Sequence, residues 1–175
     1  EWLESAAILH DIGYMINSRQ HHKHAYYLIK HSDLSGFTAE EIDLIANVAR
    51  YHRRSVPNRK HDEFTALPEG SQRVINVLSA LLRIADGLDR SQFSVVQNVE
   101  VKLGKTVLIT AQVSGDAELE IWAARGRSDL FEKVFKRPVQ FITTTHSPLT
   151  LVNTAPGEVV ATILKNGKAT LVKDL

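Results

Sequence analysis

Cysteine is absent from the 175 residues, which excludes disulfides and thiolate metal ligands and fits a reducing compartment. Any metal held by this chain must therefore be held by histidine nitrogen and carboxylate oxygen. Long apolar runs are also missing: none approaches the roughly 18 residues needed to span a bilayer. The first residues, "EWLESAAILHDIG", carry acid where a secretory leader carries positive charge. A cytoplasmic location with no membrane partner is the expectation. A large net charge is lacking too. At +1 the chain has no general attraction to nucleic acid, and no specific DNA binding is expected.

Charge is nevertheless unevenly placed. From Leu44 to His61 there is no acid, and that window holds Arg50, Arg53, Arg54, Arg59 and Lys60 with His52 and His61 among them. Eight histidines are present, and five of them fall between His10 and His31. With 43% hydrophobic residues, the chain is long enough for one sizeable core, or one domain with a smaller appendage.

Periodicity divides the chain into a helical front and a mixed back. Trp2, Ala6 and Leu9 follow helical spacing, and Gly13 is placed to stop that helix, which puts His10 and Asp11 in its last turn. A second helix is expected from about His22 to His31, with His24, Tyr27, Leu28 and His31 on one face. Thr38 with Glu41 forms a capping box, and Ile42, Ile45, Ala49 and His52 then share a face, with Pro57 beyond. A fourth helix follows "LPEG" and runs through Val74, Leu78, Leu81, Ala85 and Leu88, carrying Asp86 and Asp89 near its end. After Ser91, "QNVEVKLG", "KTVLITAQVSG" and "AELEIWAA" alternate apolar and polar residues and read as a small antiparallel sheet. "RSDLFEKVF" returns to helical spacing, Pro138 ends it, "VQFITTTHS" reads as a strand, and the last residues read as a hairpin turning at Asn166-Gly167. The expected fold class is α+β: a helical bundle over residues 1–92, a small α+β subdomain over 93–142 with one helix, and a β-rich tail over 143–175.

Separate helices thus offer His10 and Asp11, His24, His52 and Asp86. Imidazole and carboxylate suit Mn, Fe, Zn, Ni or, with more oxygen, Mg, and helical bundles build metal sites from facing helices. The competing reading of each residue alone is ordinary. A lone histidine on an apolar stripe is usually hydrogen-bonded core, and a lone aspartate near a helix end usually caps it or is solvated.

Taken together, "AAILHDIGY", "HHKHAYYLIKHSDLSGF", "IANVARYHRR" and "LLRIADGLDRS" resemble the HD-domain superfamily, specifically the C-terminal helical domain of the exopolyphosphatase and guanosine pentaphosphate phosphatase family. The resemblance covers roughly Trp2 to Ile142. It implies that His10 and Asp11 match the metal-ligating doublet, that Asp86 matches the superfamily's late aspartate, and that His24 and His52 match additional histidines of two-metal relatives. A divalent metal, Mg or Mn or another transition metal, would then activate water toward a phosphorus centre. Two departures stand beside it. The superfamily's first histidine comes from a helix before the doublet, and this chain starts within the doublet's own helix. The family's main reaction occurs in actin-like domains, which nothing here matches, so a longer enzyme with those domains upstream is expected. The resemblance further implies a role in holding inorganic polyphosphate or guanosine pentaphosphate, with Arg50, Arg53 and Arg54 binding successive phosphates. A solvated basic face is the alternative for those arginines. A non-catalytic module that binds polyphosphate or nucleotide, or mediates homodimer formation, is the alternative for the whole chain. The tail resembles the closing segment of ABC and overcoming-lysogenization-defect ATPases, which implies that His146 matches their phosphate-sensing histidine. No phosphate-binding loop G-x-x-x-x-G-K-[ST] accompanies it, so no ATP hydrolysis is expected, and two strands completing a sheet is the simpler reading.

Overall fold

The first helices are short, and each is tied to its neighbours by residues at its ends. The computed structural model describes the backbone of residues 1–145, 149–153, 159–165 and 168–173 and the side chains of residues 1–144. Two compact units are present, Glu1–Ile84 and Ala85–Leu175. The first contains α1 (Trp2–Leu9), a 3₁₀ turn (Ile12–Met15), α2 (His21–Lys30), α3 (Ala39–Arg50), α4 (Asp62–Thr65) and most of α5 (Glu69–Leu88).

The capping box at the start of α3 forms as its sequence predicts. Thr38 Oγ1 accepts from the Glu41 N–H at 3.3 Å, and Glu41 Oε2 accepts from the Thr38 N–H at 2.8 Å. The other carboxylate oxygen of Glu41 accepts from Trp2 Nε1 at 3.0 Å, so one glutamate both caps α3 and fastens α1 to it. These hydrogen bonds, the Thr38 backbone first, hold the Glu41 carboxyl below its ordinary range. Beneath them Ala6, Ala25, Ile29, Ile45, Ala49, Tyr51, Phe64 and Ile75 form a continuous apolar core. Ile29, Ile45 and Ile75 are almost wholly buried, each contributing roughly 1.5–3 kcal/mol.

The second unit contains β1 (Val96–Lys102), β2 (Val107–Val113), α6 (Glu118–Arg125), α7 (Asp129–Phe135) and β3 (Val139–Thr145), with strand order β1-β2-β3. The α+β class is as expected, but two details differ. "AELEIWAA" is helix α6 and not a strand. Asp116 Oδ1 accepts from the Glu118 N–H at 2.9 Å, and Ala117, Ile121 and Ala124 then bury one helical face. Close packing against α5 enforces this face, since a Cβ on Gly87 would lie 2.5 Å from the Ala124 Cα. The second difference follows from the first. The chain returns through α6 and α7 before it re-enters the sheet, so β3 pairs parallel to β2 while β1 pairs antiparallel. Along β2, Val107, Ile109, Ala111 and Val113 are buried and alternate with half-buried neighbours. Strands β4 (Leu149–Asn153), β5 (Val159–Lys165) and β6 (Lys168–Lys173) form an antiparallel sheet, the hairpin expected of the last residues being β5 with β6. Its turn at Asn166-Gly167 and the nucleotide-sensing match His146 lie outside the described residues. Among the described residues no helix is long and apolar enough to cross a membrane.

Candidate metal centre

Helix α1 stops at Leu9, so His10 caps it and Asp11 opens the 3₁₀ turn; the doublet sits at the break between the two and not within the last helical turn. Gly13 does not end the helix by a left-handed conformation. It is required because the chain crosses the start of α2 at contact distance: a Cβ there would lie 2.0 Å from the His21 carbonyl oxygen and 2.6 Å from the Ala25 nitrogen. This approach brings the doublet against the first turn of α2.

Three imidazoles near Asp11 are oriented in the same way. Nδ1 of His10 lies 2.6 Å from the Ala7 carbonyl oxygen, Nδ1 of His52 lies 2.6 Å from that of Ala49, and Nδ1 of His21 lies 3.2 Å from that of Ser18. A carbonyl oxygen only accepts, so in the neutral rings Nδ1 carries the proton and Nε2 the lone pair. The three Nε2 atoms point at one carboxylate. His21 Nε2 is 3.2 Å and His52 Nε2 3.7 Å from Asp11 Oδ1, and His10 Nε2 is 3.6 Å from Asp11 Oδ2. His10, Asp11 and His52 each offer a donor atom, all within 4.8 Å of one another. His21 and His52 are 1% exposed, so their lone pairs meet in a site largely closed to water.

Such a set is rich in acceptors. The Nε2 atoms of His21 and His52 lie 3.3 Å apart beside a carboxylate, an arrangement that a shared proton or a cation stabilises. Backbone-held Nδ1–H groups are the usual device for fixing a metal-binding tautomer. The ring of Tyr14 stacks on His21 at 3.9 Å and covers one side.

The sequence-predicted residues divide. His10, Asp11 and His52 converge. His24 does not join that group among the described residues; it is His21, one turn earlier, that meets Asp11 and His52. The stripe of His24, Tyr27, Leu28 and His31 is exposed or half-buried, and the inward face of α2 is His21, His22, Ala25 and Ile29. The signal for His21 lies in Ala25 and Ile29, two apolar residues four apart, which put the residue four before Ala25 on the same face. Asp86 lies in the second unit, where the Arg127 guanidinium binds its carboxylate.

The three arginines of the acid-free window are in different surroundings. Arg50 pairs with Glu63 at 3.3 Å and lies over the rings of Tyr26 and Tyr51. Arg54 adopts a positive φ of 56° and accepts a hydrogen bond from Arg83 through its carbonyl. Arg53 alone reaches the cluster, its Nη1 donating toward His21 Nε2 at 3.2 Å. Burial and the nearby charges act together at His22. Burial, and then the neighbouring His21, Arg53, Arg54 and Lys23, push its pKa down to about 4.

A family model described as Ppx/GppA phosphatase, domain III, matches residues 1–118. Proteins named guanosine-5'-triphosphate,3'-diphosphate pyrophosphatase are similar to the chain. That of Pseudoalteromonas translucida is 34% identical over 83 residues, 47% of this chain and 16% of the relative. That of Photobacterium profundum is 37% identical over 87 residues, with 47% and 16% covered. That of Vibrio vulnificus is 35% identical over 82 residues, with 47% and 15% covered. The chain thus spans about one sixth of the length of these relatives. The matched residues contain the whole His10, Asp11, His21 and His52 cluster, and the chain belongs to the Ppx/GppA phosphatase family, its residues 1–118 matching domain III.

Proposed function

We propose that this domain supports hydrolysis of phosphoanhydride bonds, in inorganic polyphosphate or guanosine pentaphosphate, by holding a divalent cation and the phosphates next to it. The cation, Mg, Mn or another transition metal, is held by His10, Asp11 and His52 with His21 beside them. The reading rests chiefly on one observation, the convergence of three Nε2 lone pairs on a single carboxylate. When bound, such a metal neutralises phosphoryl oxygens and lowers the pKa of a coordinated water.

Arg53 gives the site its second half. A guanidinium beside a metal centre disfavours a bare dication, but the two together suit an oxyanion that touches both. Arg53 has that position; Arg50, occupied by Glu63 and two tyrosine rings, does not. Catalysis itself is assigned to actin-like phosphatase domains working alongside this one, following the family.

The test is elemental analysis of protein purified without chelator, with thermal melts in added Mn. The expectation is bound transition metal and a rise in Tm that Asp11→Asn abolishes. Polyphosphate binding should then weaken in Arg53→Glu, in a manner that diminishes with salt. If polyphosphate binds while metal is absent and Mn leaves Tm unchanged, the domain is a non-catalytic binding module with Arg53 as resident cation.

A further inference from the structure

Helix α3 ends at Arg50, and the residues that follow carry two members of the site, His52 and Arg53, on backbone that belongs to no helix or strand. This stretch has little internal support. The His52 N–H lies 3.5 Å from the Ala49 carbonyl, and among the described residues no backbone bond starts from the N–H of Arg53, Arg54, Ser55 or Val56. Support comes instead from α5. Arg83, only 4% exposed, directs Nη1 at the Tyr51 carbonyl and at the Arg54 carbonyl, each at 3.3 Å. A guanidinium Nη carries two hydrogens in a fixed plane, so one nitrogen serves both acceptors. The Tyr51 carbonyl shares its peptide plane with the His52 N–H, and the Arg54 carbonyl lies one residue beyond Arg53. The clasp therefore brackets His52 and Arg53.

A hydrocarbon side chain would fill this position more simply. The buried side of α5 is otherwise largely apolar, with Ile75, Ala80, Leu82 and Ile84, and a guanidinium taken from water into such surroundings carries a large desolvation cost. Arg54 is also strained, since its φ of 56° lies in the left-handed region that a non-glycine residue occupies unfavourably. Such a conformation persists where the surroundings impose it, and the hydrogen bond from Arg83 to the Arg54 carbonyl is one such constraint. The buried cation and the strained residue thus act on one short segment. That segment places His52 Nε2 3.7 Å from Asp11 Oδ1 and Arg53 Nη1 3.2 Å from His21 Nε2.

We propose that Arg83 is a positioning residue of the site, which sets His52 and Arg53 against Asp11 and His21 without itself touching metal or phosphate. The inference rests on the reading of that cluster as a metal and phosphate site. Coordination and charge-assisted hydrogen bonds tolerate a displacement of only about 0.5 Å, and a segment without a backbone ladder does not supply that precision alone. Because one clasp holds both groups, loosening it weakens the metal half and the phosphate half together.

The test uses the full 175-residue chain and two probes, Mn and inorganic tripolyphosphate, titrated separately under conditions where circular dichroism shows every variant folded. Arg83→Lys keeps the charge, but its ammonium stops one atom short of the Nη1 position. It should weaken binding of both probes about tenfold or more, and Arg83→Met should weaken it further. The effect should vanish where the positioned group is already gone. In His52→Gln, adding Arg83→Lys should not lower Mn affinity again, and in Arg53→Ala it should not lower tripolyphosphate affinity again. Arg83 variants that lose stability to urea yet bind both probes like wild type overturn the proposal, because support of the fold alone has that outcome. Losses that add fully to those of His52→Gln and Arg53→Ala overturn it too. Where Arg83→Met fails to fold, Arg83→Lys decides. Failure of the underlying reading is distinct: a wild-type chain that binds neither probe overturns the metal and phosphate site and this inference with it.

Discussion

His22 makes the stability of the first unit depend on pH between about 6.5 and about 4. Its folded pKa is about 4 against an ordinary 6.5, because burial and the surrounding cations disfavour the imidazolium. The unfolded chain therefore binds the proton first as pH falls. Stability from this group is complete above pH 6.5 and is lost as pH drops toward 4. Between pH 7 and 4.5 this linkage is on the order of 1–2 kcal/mol. Urea denaturation at pH 7, 6, 5 and 4.5 measures this directly, with His22→Gln as the comparison. The variant should lose about 1 kcal/mol of the pH-dependent fall, whatever its stability at pH 7. A variant whose stability falls as steeply as wild type over that window would refute the reasoning. The direction discriminates too, because an imidazole stabilised as a cation would make the protein more stable in acid. His61 is also held below its ordinary pKa, mainly by burial, and contributes in the same direction.

Three further outcomes follow from packing and hydrogen bonding. Gly13→Ala should destabilise the first unit by at least about 2 kcal/mol, read from the urea midpoint, because its Cβ would collide with the α2 backbone. Thr38→Ala removes the hydroxyl from the α3 capping box and should cost about 1 kcal/mol in the same assay, with Thr38→Ser retaining most of it. Arg127→Met removes a guanidinium from the largely buried Asp86 carboxylate and should destabilise the second unit by roughly 1–3 kcal/mol, seen as faster proteolysis around α6.

The helical front was legible because its signals were local. Thr38 and Glu41 lie within one turn of each other, and Ile45, Ala49 and His52 follow one helical period, so the cap, the helix and the burial of His52 could all be read from adjacent residues. The doublet was legible for a different reason, its resemblance to a known motif. His21 escaped because the face of α2 was judged from its histidines and tyrosines, whereas the small and apolar Ala25 and Ile29 decide which side turns inward. Helix α6 escaped because "AELEI" alternates over a length too short to distinguish a strand from a helix. What decided it was tertiary, the close approach of Gly87 to Ala124 and the burial of Glu120, whose carboxylate accepts the Ser91 N–H at 3.1 Å. The fate of Arg50 could not be read at all, since Glu63 and Tyr26 reach it from outside the acid-free window.

The parallel pairing of β3 with β2 sets an order of events during folding. The β1 and β2 hairpin joins neighbours in the chain and closes a short loop, while β3 docks only after residues 114–138 have been drawn back across the sheet. Closing that longer loop costs more chain entropy before any strand contact rewards it. Until α6 and α7 are in place, the buried side of β2 stays wet, and its other edge can be captured by any extended chain nearby. A truncation that ends before Val139 should therefore leave a hairpin that aggregates, with Ile109 and Ala111 as the sticky positions.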